Sequence, residues 1–321
     1  MRRILSLLAL ATPIVSQANV RIEILAWVPD GLEITSSQGD VWAGYALDPS
    51  KKRCPITGVG PIWRYMDTVK TRFMVTLHDS TAKIAVGEAG DKGGIWNLAT
   101  GSLTTLSDRS VAWGATDTYQ VGWSMDKPFG LATAGAWQGT AASHFDLDKG
   151  GFTQTWAYAV CGNQAGGQGM VGNDGPGHAL YWKSLKGKPI DLNPTGSAAS
   201  GIMGMDETRQ GGAAFGHPGF WRGTASSFVD LMPPKVLSGQ VNGFKDEYEF
   251  GTVEYPKTHT RVPAIWKGTA ASFVDLNSYL PKGFVPFSAR AGGVTTVDGK
   301  HVVYGVAGAG REWYLIRWHL D

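Results

Sequence analysis

The chain has 321 residues, with 29 Lys and Arg against 27 Asp and Glu, so charge supports neither a nucleic acid nor an anionic membrane as partner. Forty-four glycines and 13 tryptophans, with few Leu/Glu/Lys/Ala runs, argue against a helical protein. They predict an all-β chain of short strands joined by tight turns.

In chain order, Arg2 and Arg3 precede an apolar run from Ile4 to Val15 and then Ser16, Gln17 and Ala18. A basic start, a short apolar stretch and small residues at the end predict a signal peptide over 1–18 and a secreted or periplasmic mature chain over 19–321. Cleavage leaves 27 basic against 27 acidic residues. No later run approaches the length of a membrane-spanning helix. The segment Ile22 to Pro29 reads as a strand without a unit of its own, and Val41–Tyr45 with Pro61–Trp63 as a first unit.

Three near copies follow: Trp137 to Leu147 (WQGTAASHFDL), Trp221 to Leu231 (WRGTASSFVDL) and Trp266 to Leu276 (WKGTAASFVDL). Degenerate versions begin at Trp96 and Trp182. The spacings between these tryptophans are 41, 45, 39 and 45 residues, the size of a propeller blade. Residues 195–231 parse into four strands, A to D: Ala199–Met203, Gly211–Phe215, a strand ending at Trp221, and Ser227–Leu231. Val302–Val306 and Tyr314–Trp318 form a last unit that runs out of chain after strand C. The expected architecture is a seven-bladed β-propeller, a single domain whose N-terminal strand completes the final blade and closes the ring.

The pattern His178-Ala-Leu-Tyr-Trp182, followed in other units by Gly-Thr-Ala-Ala-Ser-x-Val-Asp-Leu, resembles the HAF-type extracellular repeat of exported bacterial proteins. The resemblance covers most of 35–321 and is good in blades three to six. It implies export and a repeated β architecture, and no established activity.

What recurs in every unit serves every unit, whereas what appears once is free for function. By that criterion Trp137, Trp182, Trp221 and Trp266 are packing residues between blades. Asp146, Asp191, Asp230 and Asp275 are scaffold, and Gly139, Gly223 and Gly268 supply positive φ in the C–D turn. The residues that vary include His178, His217, His259, Arg261 and Arg311, all assigned to B–C loops. Arg109 and Arg290 lie near the start of strand A, each eight residues before an acidic turn residue (Asp117, Asp298). B–C and D–A loops share one propeller face, so these seven side chains predict a basic rim for a carbohydrate or acidic small ligand, or for a protein partner. No metal or cofactor motif and no catalytic signature is found.

The resulting expectation is a binding or surface module. The alternative is a carbohydrate-active enzyme: a lyase using a His or Tyr255 as base beside Arg261, or a hydrolase using two of Asp91, Asp174 and Glu254. The two cysteines, Cys54 in the first blade and Cys161 in the fourth, fall across the ring and are expected to be unpaired.

Overall fold

The computed structural model describes residues 20–29, 31–48, 50–67, 75–172, 174–286, 293–310 and 312–320. The signal sequence, Arg290 and Arg311 lie outside these.

Seven antiparallel sheets follow one another around a ring. From the innermost strand A outward, blade 1 is Glu33–Gln38, Val41–Leu47, Arg53–Val59 and Ile62–Tyr65. Blade 2 is Val75–Ser80, Ile84–Ala89, Lys92–Asn97 and Leu103–Asp108. Blade 3 is Ser110–Ala115, Gln120–Ser124, Thr133–Trp137 and Phe145–Asp146. Blade 4 is Gln154–Cys161, Gln164–Met170, Gly177–Trp182 and Ile190–Asp191. Blade 5 is Ser200–Met205, Gln210–Ala214, His217–Trp221 and Val229–Asp230, and blade 6 is Ser238–Lys245, Tyr248–Glu254, Arg261–Trp266 and Val274–Asp275. Blade 7 is Val294–Val297, Lys300–Ala309, Glu312–Leu320 and, as its outer strand, Val20–Val28, with Phe284–Pro286 added beside Ala307–Ala309. The seven-bladed all-β architecture expected from the repeat is the observed one.

Each repeated residue has a physical task. Trp96, Trp137, Trp182, Trp221 and Trp266 are fully buried at or near the end of strand C. Each removes on the order of 200 Å² from water, roughly 5 kcal/mol of gross apolar transfer. The indole N–H groups of Trp96, Trp137 and Trp182 donate to Asp67 O, Ser107 Oγ and Asp148 O, all on the exit of the preceding blade. Those of Trp221 and Trp266 are buried without a partner.

The Gly-Thr-Ala-x-Ser turn closes on itself. Gly139, Gly223 and Gly268 adopt φ of 79, 77 and 71° and donate their N–H groups to the first or second residue of strand B, Gln120, Gln210 and Glu249. Ser143, Ser227 and Ser272 each donate to the threonine carbonyl and accept from the residue after the tryptophan, making one turn of 3-10 helix. Core packing lies between blades: Val121, Ala134 and Leu147 of blade 3 pack with Ala157, Leu180 and Trp182 of blade 4.

The first blade departs from the sequence reading in register. Arg53–Val59 is its third strand, so Cys54 is within that strand, and Pro61 to Trp63 leads through the fourth. Its buried anchor is Trp42 on strand B, which lies over Gly58 and donates to Gly60 O. Strand C therefore carries no tryptophan by which to recognise it. Cys54 and Cys161 are both free thiols.

The ring closes as expected: Val20–Val28 runs antiparallel to Glu312–Leu320, with Val20 opposite Leu320 and Trp27 opposite Tyr314. A second feature was not expected. The inner strands of blades 1 to 6 each carry a β-bulge, at Thr35, His78, Trp113, Tyr158, Met203 and Asn242. Each of these residues is extra relative to the neighbouring strand.

Candidate functional site

The B–C and D–A connections form one end of the propeller, and five of the seven residues assigned to the rim are described there. His178 and His217 are not in loops but in strand C, near or at its start. Their Nδ1 atoms lie 2.8 and 2.7 Å from Oδ2 of Asp191 and Asp230. Those carboxylates are the repeat's own aspartates, and their Oδ1 atoms cap the N–H groups of Asn193 and Met232. In blade 6 the same bond is made by Tyr255, whose hydroxyl donates to Asp275 at 2.8 Å. The two histidines thus each tie strand C to strand D within their own blades.

His259 and Arg261 do meet, on Glu254: His259 Nδ1 is 2.9 Å from Oε1, and Arg261 Nε donates to Oε2 at 3.1 Å. The bonds from His259 and Arg261 hold the Glu254 carboxyl below its usual range. Arg109 is spent on backbone, donating to Met125 O at 3.3 Å and Asp126 O at 2.9 Å. For the lyase scheme, burial and the bond to Asp275 push the Tyr255 phenol up to about 12, so it is a donor at neutral pH. Asp91 and Asp174 are exposed. Among the described residues no three His, Cys, Asp or Glu side chains converge on a metal position.

Beside these polar groups, with His259 and Arg261 strongly exposed, the same end presents aromatic and apolar side chains. The B–C loop of blade 3 carries Phe129, fully exposed, with Leu131 beside it, and the loop of blade 4 carries Val171. The two-residue B–C turn of blade 5 is Phe215-Gly216, with Phe215 47% exposed. Phe129 and Phe215 have φ of 59 and 58°, the left-handed region where Cβ meets the following carbonyl. Asparagine and glycine are the residues such a turn prefers.

Both loops are clamped from the D–A side. Arg109 holds the carbonyls of Met125 and Asp126, and Ser197 Oγ accepts from the N–H of Phe215 at 2.9 Å. Beside Phe129 opens a cavity of about 1050 Å³, lined among others by Asp108, Asp126, Leu131, His144 and Lys149. The sequence reading missed both phenylalanines because it weighed only charged and titratable loop residues. The available signal was Phe215 standing directly before Gly216, where a turn asks for Asn.

No family model matches the sequence, and no curated protein matches it. Solved structures do. Puromycin hydrolase aligns over 91% of this chain and 54% of its own, at TM-score 0.55 and 12% identity. The β-propeller domain of the trilobed protease from Pyrococcus furiosus aligns over 91% of this chain and 94% of its own, at 0.52 and 10%. Pyrococcus horikoshii acylaminoacyl peptidase aligns over 88% and 52%, at 0.53 and 8%. The chain spans about half the length of the two whole enzymes. At these identities the similarity is one of fold, the β-propeller. The Pyrococcus furiosus domain is described as having an open velcro topology, whereas here Val20–Val28 closes the last blade.

Proposed function

We propose that the chain is exported and works as a binding module, using the B–C and D–A end of the propeller to hold a macromolecular partner outside the cytoplasm. Export is supported by the residues before Asn19 and by the resemblance of the repeats to HAF-type extracellular repeats. The observation that carries the binding reading is the pair Phe129 and Phe215. Each bulky side chain sits in a left-handed backbone conformation that costs roughly 1–2 kcal/mol; Phe129 is fully exposed, and Phe215 is about half exposed with its ring 6.2 Å from that of Phe228. Strain at an exposed aromatic adds nothing to folding, whereas rigid aromatics on loop tips are the anchors of recognition surfaces.

Two measurements test this. The N-terminal residue of protein recovered from the producing cells begins near Asn19 if the chain is exported, and at Met1 if it is not. A photo-crosslinking residue placed at 129 or 215 yields a discrete adduct, while one at Glu207, on the opposite end, yields none. Equal labelling from all three positions, or none from any, would sink the binding reading. Phe215→Asn separates strain from function: its thermal midpoint rises, by the equivalent of about 1 kcal/mol, while partner capture falls.

A further inference from the structure

We propose that the central channel holds a neutral saccharide against a wall of rings formed by His78, Trp113 and Tyr158. Six bulges interrupt the inner strands of blades 1 to 6. A residue in the middle of strand A ordinarily points at a neighbouring blade, because the sheets stand radially and only the strand edge faces the channel. An extra residue breaks that alternation.

The residue after the bulge fills the gap between adjacent inner strands: at Ser36 and Asp79 its side chain is hydrogen-bonded across that gap, and at Gly114 and Gly204 the gap is too narrow for any side chain. A Cβ on Gly114 would stand 2.9 Å from Tyr158 O, and one on Gly204 would stand 1.9 Å from Asn242 O. The bulge residues therefore turn into the channel. Their exposure agrees: Thr35, Trp113, Tyr158, Met203 and Asn242 each reach solvent between two buried neighbours, and His78 follows the buried Leu77.

On blades 2, 3 and 4 the bulge side chains touch one another. His78 stacks on Trp113 with ring centroids 3.9 Å apart and planes 6° from parallel, and Tyr158 meets Trp113 at 5.1 Å and 61°. Blades 1, 5 and 6 contribute Thr35, Met203 and Asn242, a hydroxyl, a thioether and an amide. None of the six is an aspartate, glutamate, lysine or arginine. The carboxylate next to His78, Asp79, is already occupied: Ser36 Oγ at 3.0 Å and Ser80 N at 2.8 Å donate to Oδ1, and Ala115 N at 3.0 Å donates to Oδ2.

Among the described residues, bulge side chains without charge, with rings on one side and the hydroxyl of Thr35 and the amide of Asn242 on the other, match a pyranose, which has an apolar C–H face and hydroxyls around its edge. They do not match a uronate, which needs a cation. This site is separate from the phenylalanine rim, so either can fail without the other.

Isothermal titration with neutral cello-, xylo-, malto- and chito-oligosaccharides, with oligogalacturonate and choline as contrasts, tests the proposal. At least one neutral saccharide is expected to bind, and to lose tenfold or more in affinity in Trp113→Ala and Tyr158→Ala. Ile62→Ser, on the exposed outer strand of blade 1, should bind as the parent does. Should Trp113→Ala fold poorly, Met203→Trp fills the lumen from the opposite wall without removing a packed ring, and the same loss is expected. Binding that survives both Tyr158→Ala and Met203→Trp overturns the proposal. So does tighter binding of oligogalacturonate or choline than of every neutral sugar, or no neutral saccharide binding at all.

Discussion

Trp182 and Trp221 occupy equivalent positions on adjacent blades, both fully buried, yet differ in one hydrogen bond. The indole of Trp182 donates to Asp148 O at 2.8 Å, whereas that of Trp221 has no partner. Replacement by Phe removes similar volume from each. Only at 182 does it also strand a carbonyl. Trp182→Phe is therefore expected to cost about 1 kcal/mol more than Trp221→Phe in urea unfolding, since a net buried hydrogen bond is worth about that much. Equal losses would mean that volume alone governs these sites. The same comparison of equivalent residues exposes His178 and His217: each is bound to the repeat's aspartate, as Tyr255 is in blade 6. The bond to the repeat's aspartate thus recurs even where, as in blade 6, it is supplied from a different chain position.

Among the elements, the N-terminal strand has the distinctive role. Glu23 on that strand accepts from Arg317 Nη2 at 2.8 Å and His319 Nε2 at 2.8 Å on strand C of blade 7. The bond from Arg317, and then that from His319, hold its carboxyl below the ordinary glutamate value of 4.5. Its unfolded chain binds a proton more readily than its folded one. The contribution is thus complete above the ordinary value and lost as pH falls through the lowered one. Hydrogen exchange over Val20–Val28 checks this. Near neutral pH, Glu23→Gln should exchange faster than the parent there. In strongly acidic buffer the difference should vanish. A gap that persists in acid would show that the carboxylate charge does not hold the strand.

At the scale of the whole ring, blades are joined by side chains at the end opposite the phenylalanines. Lys83 meets Asp117 between blades 2 and 3, Arg209 meets Glu249 between 5 and 6, and His301 meets Asp246 between 6 and 7. Blades 7 and 1 are joined by Arg317 and Tyr304 to Asp40. These pairs are not equivalent. Glu249 is 1% exposed and also accepts from Gly268 N, while the side chains of Lys83 and Asp117 are 75% and 48% exposed. Arg209→Ala leaves a buried carboxyl without its cation and is expected to destabilise by about 3 kcal/mol. Lys83→Ala, which removes a solvent-screened surface pair, should leave stability nearly unchanged. Chemical denaturation of the two variants distinguishes them, and similar losses would show the inter-blade pairs to be interchangeable.

The amino-acid sequence by itself determined the blade count, the period and the closure of the ring. The same local demands recur along the chain: a tryptophan fills the gap between sheets in blades 2 to 6, and in blades 3, 5 and 6 a glycine tolerates positive φ and a serine closes the turn. Blade 1 was legible only in part, because its anchor, Trp42, had moved to strand B. The candidate sites were much less legible. Whether His178 is a ligand group or a strut depends on Asp191, thirteen residues away and brought opposite by strand register. Arg109 was visible as a lone cation, but its partners are carbonyls of another loop. Thr35, His78, Trp113, Tyr158, Met203 and Asn242 differ in chemistry from unit to unit, whereas the residue before each is aliphatic, so they carried a signal. That they are extra did not follow from it, because only the pairing of strand A with strand B creates the bulges.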